Sequence, residues 1–164
     1  MATLENPFEK VRQKLVAARL EIISQLAKFN QHELALTPTP DDWSALMLAY
    51  HVYIADGLAL EQMRQVQEED NPLVEALDEE TPRQTREGQP PTSLDVVLGG
   101  MAARREEIFE YLSSLPVTAW ERPFRHPHWG QLKFYQLVNV LPQHDQQHAR
   151  QLAELKTALT PTAS

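Results

Sequence analysis

A bundle of four α-helices is the fold this sequence predicts, and three observations carry the prediction. Apolar residues recur at intervals of three and four over four long stretches, and polar, proline-bearing segments separate those stretches. No stretch alternates apolar and polar residues as a half-buried strand would. Four helices with one apolar face each bury those faces against one another, which makes an all-α, antiparallel four-helix bundle. The 164 residues read as a single domain over 1–164, long enough to bury a core without cross-links.

The first helix is expected over about residues 6–29, with Asn6 as N-cap and Pro7 at the first helical position. Its stripe is Phe8, Val11, Leu15, Ala18, Ile22, Leu26 and Phe29. The break TPTPDD leads to a second helix over about 43–69, capped by Asp41 or Asp42. One face of it carries Met47, His51, Ile54 and Leu58, so a histidine sits inside an apolar stripe. Residues 70–92 are acidic, contain prolines and keep no period, so they read as a long loop.

The third helix is expected over about 93–115, on the stripe Leu94, Leu98, Met101, Ile108, Leu112 and Leu115. Arg105 falls where that stripe calls for an apolar residue. Its stem is expected to pack while its head reaches water; a substrate carboxylate as partner is the alternative. The fourth helix, over about 133–159, carries Phe134, Leu137, Leu141, His144, His148, Leu152, Leu155 and Leu159 on one face. Pro142 lies inside it, removes one backbone hydrogen bond and crowds the carbonyl of Val138, so a kink is expected.

A formal charge of −8 and a pI near 5.2 argue against a nucleic-acid or anionic-membrane partner, either of which needs clustered Lys and Arg. No apolar run approaches 18 residues and the N-terminus lacks a signal-peptide core, so a soluble, cytoplasmic protein is expected. The chain has no cysteine. Disulfides, thiolate ligands and a cysteine nucleophile are therefore excluded, and any sulfur chemistry must arrive with a bound molecule.

His144 and His148 are four residues apart, so their imidazoles point the same way from a helix. An H-x-x-x-H pair alone is a weak signal, but these two take core positions. A buried imidazole needs a hydrogen bond or a ligand role. With His51 from another helix, three neutral imidazoles could hold a zinc-type ion with one position open. Nickel, iron, manganese and cobalt accept nitrogen ligands too. The competing reading makes all three core histidines, bonded to carbonyls or to Tyr50, Tyr53 and Tyr135. Periodicity leaves both readings open.

The segment HPHWGQLKFYQLVNVLPQHDQQHARQL resembles the C-terminal signature of the DinB/YfiT-like superfamily, a small glycine loop leading into a final helix with H-D/E-x-x-H. DDWSALMLAYHVYIAD resembles that family's second helix, where a tryptophan–serine start precedes a single histidine. The likeness spans all four helices in order and is most specific at Trp43–His51 and His126–Leu152. It implies a bundle, often a homodimer, with a divalent-metal site of three histidines, here His51, His144 and His148. The metal, whether zinc, nickel, iron, manganese or cobalt, is not specified by the motif. Characterised relatives include S-transferases that use low-molecular-weight thiols such as bacillithiol or mycothiol, and a maleylpyruvate isomerase; others are described as metal-dependent hydrolases. A small-molecule substrate, and a low-molecular-weight thiol in particular, is thereby implied. A metal-stabilised binding or stress-response module without turnover is the alternative.

H-D-Q-Q-H differs from the H-E-x-x-H of zinc peptidases in its shorter acid and in a third histidine far upstream. Asp145 is accordingly expected beside the ligands or at the surface, without a catalytic role assigned to it. A di-iron site would need two Glu-x-x-His pairs and two further carboxylates; Asp145-x-x-His148 approximates one pair, and no second exists. His126 and His128, separated by a proline, are expected in a loop as structural or solvent-facing residues, with extra metal ligands as the alternative, and Trp129 and Gly130 as a turn that packs an aromatic over the helix start. Trp43 and Trp120 are expected as anchors.

Overall fold

A computed structural model describes residues 6–88 and 93–159 of the chain, apart from the side chains of residues 78–80 and 83. The N-terminal helix α1 (Pro7–Leu26) begins as its sequence requires. The Asn6 side chain accepts from the Phe8 N–H at 2.9 Å, satisfying one of the donors every helix start leaves open. All seven stripe residues are buried, Phe29 among them although the helix ends three residues earlier. Helix α2 (Ala45–Glu68) starts at neither Asp41 nor Asp42. Ser44 is the cap, accepting from the Met47 N–H at 3.2 Å, while Asp42 is engaged one turn earlier by the Thr39 hydroxyl.

His51 is buried as expected, but Met47, Ile54 and Leu58 are only half-buried. The deeply buried line of α2 is instead Leu48, Val52, Ala55, Ala59, Met63 and Val66. Three other helices pack on α2 at once, so its buried sector is wider than one stripe.

Two expectations fail between the bundle helices. The segment read as a loop contains α3 (Leu77–Glu87). Its inward positions are Leu77, Thr81 and Thr85, the two threonines almost wholly buried. Polar residues on the inward face, and Pro82 inside the helix, conceal it from a search for apolar periodicity. Helix α4 (Leu94–Ser114) then leads, through a 3₁₀ turn at Val117–Glu121, into an antiparallel hairpin of β1 (Pro123–His126) and β2 (Gly130–Lys133). Strands of four residues are too short to show alternation. Gly130, with φ +75°, closes the turn in the left-handed region that suits glycine. Residues Pro72 and Val74 add backbone bonds to Arg125 of β1, so the start of the supposed loop is pinned to the hairpin. Helix α5 (Phe134–Leu159) continues through Pro142.

The four long helices form the expected bundle, two running each way. The first halves of α1 and α5 share an apolar cluster with the second halves of α2 and α4. A second cluster joins the opposite ends, around Ile22, Val52, Met101 and Leu152. Hence α1 and α5 run parallel, as do α2 and α4, and these two pairs make the most extensive contacts. Parallel neighbours need a crossover connection, which explains the length of the segment from α2 to α4. Truncating a fully buried member such as Ile108 or Leu152 to Ala would cost ~2–5 kcal/mol. No described helix is long and apolar enough to cross a membrane.

Candidate metal centre

Between the two apolar clusters lies a polar layer, and every bundle helix contributes to it. The three histidines singled out by the sequence meet there: one nitrogen from each of His51, His144 and His148 lies within 4.8 Å of the others. His51 and His148 are buried and His144 half-buried. The Nε2 atoms of His144 and His148 stand 3.0 Å apart. The His51 ring centroid is 4.7 Å from that of His148 and 5.8 Å from that of His144.

The outer nitrogens are held by oxygen. The Thr85 hydroxyl donates its only proton to the Thr81 carbonyl at 2.7 Å, so towards His51 Nδ1, at 3.4 Å, it can only accept. Gln151 Oε1 accepts from His148 Nδ1 at 2.5 Å. Both contacts place the proton on Nδ1 and leave a lone pair free on Nε2. The tyrosines weighed as partners are elsewhere: Tyr50 and Tyr53 stack on each other, and Tyr135 is exposed.

All three imidazoles are kept neutral. Burial pushes His51 down to about 3, helped by the charges His148 and His144 would carry. Burial and His148 likewise push His144 down to about 4. Burial also lowers His148, against its bond to Gln151. Neutral imidazole is the form that binds a metal ion. An ion with metal–nitrogen distances of ~2.05 Å in a tetrahedral arrangement holds its nitrogens about 3.3 Å apart. His144 and His148 already stand near that separation, so the donor set fits a divalent cation.

Beside the histidines, four charged side chains close a ring. Arg19 of α1 bonds Asp56 of α2 at 2.9 Å and Asp145 of α5 at 3.1 Å; Arg105 of α4 bonds the same two carboxylates at 3.0 and 3.1 Å. All four are buried. Arg19 is raised: burial alone would lower it, and Asp56 and Asp145 outweigh that. The expectation that the Arg105 head reaches water is thus wrong. Its partners are carboxylates, but the protein's own. Asp145 lies beside the histidines and not at the surface, with both guanidinium groups bonded to its oxygens.

Sequence reasoning missed Arg19 and Asp56. The signal was the one that exposed Arg105, a charge at a core position: Arg19 follows Leu15 by four and Asp56 follows Val52 by four. Thr85 carries no signal, since its role exists only beside a histidine, whereas Gln151 stands where the family's final helix has a glutamine after its second histidine. His126 and His128 lie outside the cluster. His126 ends β1, its Nδ1 accepts from the His128 and Trp129 N–H groups, and its ring stacks on Trp129. Trp129 is therefore a turn residue as expected, but an exposed one. Of the two anchors, Trp120 is buried against Phe134, while half-buried Trp43 lies 5.0 Å from the His51 ring.

The fold and the sequence both have counterparts. YfiT from Bacillus subtilis, described as a probable metal-dependent hydrolase with an unusual four-helix bundle topology, superposes with a TM-score of 0.74 at 13% identity, over 95% of this chain and 89% of that one. The four-helix bundle protein TT2238 gives 0.63 at 19% identity, over 90% and 98%. These likenesses are of fold. In sequence, YuaE of Bacillus subtilis (strain 168), an uncharacterized protein, is 25% identical over 151 residues, which cover 85% of this chain and 93% of YuaE. The DinB superfamily profile matches residues 8–152, from the first buried residue of α1 to a residue one turn beyond His148. With the histidine-bearing helices and nearly all of the bundle inside that match, the chain belongs to the DinB superfamily.

Proposed function

We propose that the protein is a metal-dependent enzyme that holds one divalent ion, zinc, nickel, iron, manganese or cobalt, through His51, His144 and His148, and hydrolyses a small molecule. The observation that carries this reading is the convergence of three neutral imidazoles from α2 and α5, two of them with their outer nitrogens tied to oxygen. The description of YfiT as a probable metal-dependent hydrolase supports it. When bound, the ion supplies Lewis acidity, lowering the pKa of a water or thiol at neutral pH. Thr85 and Gln151 orient His51 and His148. His144 alone of the three lines a neighbouring cavity, so substrate reaches the cluster from its side.

Transfer involving a low-molecular-weight thiol, of the bacillithiol type implied by the resemblance, is the variant of this chemistry in which sulfur replaces water. Such a thiol must be added, because the chain has no cysteine. A cytoplasmic location and a homodimer complete the proposal. For the dimer, the outer face of α1 offers Val16, Leu20 and Ile23, spaced four and three and 41, 58 and 41% exposed.

The test is metal analysis of the wild type and of His51→Ala, His144→Ala and His148→Ala, followed by screens of ester, amide and thiol-conjugation substrates. Each variant is expected to lose well over ~10-fold in metal affinity, as two imidazoles hold an ion far less well than three. Unchanged metal content in all three overturns the site. Equal rates for the wild type and His144→Ala on every substrate remove the enzyme reading.

A further inference from the structure

The cavity that His144 lines has a volume of about 290 Å³, at the small end of the range for ligand pockets, ~300–1,000 Å³. Its wall runs from the α5 face to the hairpin. Apolar side chains, among them Phe124 and Leu141, dominate it, and four glutamines and two histidines supply the polar atoms. Among the described residues no Asp, Glu, Lys or Arg lines it. The chain holds 15 basic and 23 acidic residues, so the lack of charge among the described lining residues is not what its composition would give by default.

The rim contains Trp129. One indole face stacks on His126, with ring centroids 4.2 Å apart and planes inclined by 13°. The residue is nevertheless 61% exposed, so much of its aromatic surface is open to a ligand. The position is also built: the His128 and Trp129 N–H groups donate to His126 Nδ1 at 3.1 and 3.3 Å, holding the turn that carries the indole. A ligand ring could stack there at little conformational cost.

We propose that this cavity selects an uncharged, ring-bearing small molecule, its ring against Trp129 and the apolar wall and its neutral polar group towards His144. Calling that molecule the substrate rests on the metal-enzyme reading. A carboxylate, phosphate or ammonium entering the cavity would exchange water for hydrocarbon and amide groups, with no opposite charge among the described lining residues to compensate. A neutral amide or ester loses less on desolvation, and Gln143 and Gln147, flanking His144 on α5, offer matching donors and acceptors.

Three probes of one shape, benzamide, benzoate and benzylamine, test the charge selection by calorimetry and tryptophan fluorescence on metal-stripped protein, where a carboxylate cannot gain by coordination. Benzamide is expected to bind at least about tenfold more tightly than either charged probe. Trp129→Ala should weaken benzamide by about tenfold without altering zinc content. Gln147→Glu should weaken benzamide and strengthen benzylamine, reversing their order. Benzoate or benzylamine binding as tightly as benzamide to the wild type, or no effect of Trp129→Ala, overturns the proposal. Divalent-metal content, measured on the protein before stripping, keeps the two readings apart. Protein that prefers benzamide but binds no divalent metal sustains the ligand class and removes the metal reading; protein that binds a divalent metal but prefers benzoate does the reverse.

Discussion

Replacing Asp56 by Ala should be among the most damaging single changes outside the apolar core. Asp56 accepts from Arg19 at 2.9 Å and from Arg105 at 3.0 Å, so its loss leaves two buried guanidinium groups sharing Asp145 alone. With charge centres ~4 Å apart at an effective dielectric of ~20, each lost pair forfeits about 4 kcal/mol of attraction, roughly 8 in total. The variant is relieved of burying the aspartate, which returns several kcal/mol, and the net loss should fall near the ~3–5 kcal/mol typical of breaking a buried pair. For a chain of this size that corresponds to a melting temperature lower by roughly 6–20 °C. Urea and thermal unfolding followed by circular dichroism measure it, and added salt should change the loss little because the ring is buried. Adding Arg105→Met to Asp56→Ala should recover part of the loss, since one uncompensated cation is then removed. A loss under ~1 kcal/mol, or a double variant as unstable as the sum of the singles, would refute the claim that the four charges act as one unit.

Three further outcomes are expected. Thr85→Val should keep the helical content but lower metal affinity roughly 10–100-fold, because the acceptor that fixes the His51 proton is lost; unchanged affinity in a metal titration would contradict this. In the metal-free protein the unfolded chain binds more protons than the folded one between about pH 4 and 6.5, as burial holds His51 near 3 and His144 near 4. Stability should therefore be complete above ~6.5 and fall by a few kcal/mol towards pH 4, an effect reduced in His144→Gln; equal urea midpoints at about pH 7 and pH 5 would contradict it. Leu20→Glu should convert a dimer to a monomer in light scattering while leaving the melting of the bundle nearly unchanged, and a wild type that is already monomeric removes the dimer.

What the sequence determined by itself is the set of local periods. The seven-residue stripe of α1, its Asn6 cap and the core placement of His51 and His148 are each legible, because every one is a property of a single helix face. The lack of cysteine likewise excluded thiolate from any metal donor set. The directions of the helices were not legible: apolar stripes pack as readily in parallel as in antiparallel pairs, and the α1–α5 and α2–α4 pairings depend on the crossover through α3. Helix α3 itself was concealed because its inward face is threonine. The partners of Arg105 illustrate the same limit, since an arginine in an apolar stripe announces a buried charge but does not name what neutralises it. Asp56 and Asp145 lie 49 and 40 residues away in sequence, and Arg19 joins Asp145 across 126. Contacts of that range, like the convergence of His51 with His144 and His148, are decided by which faces meet. Only the packed bundle holds that information, because the free energy of bringing them together comes from the apolar clusters on either side and not from the polar residues themselves.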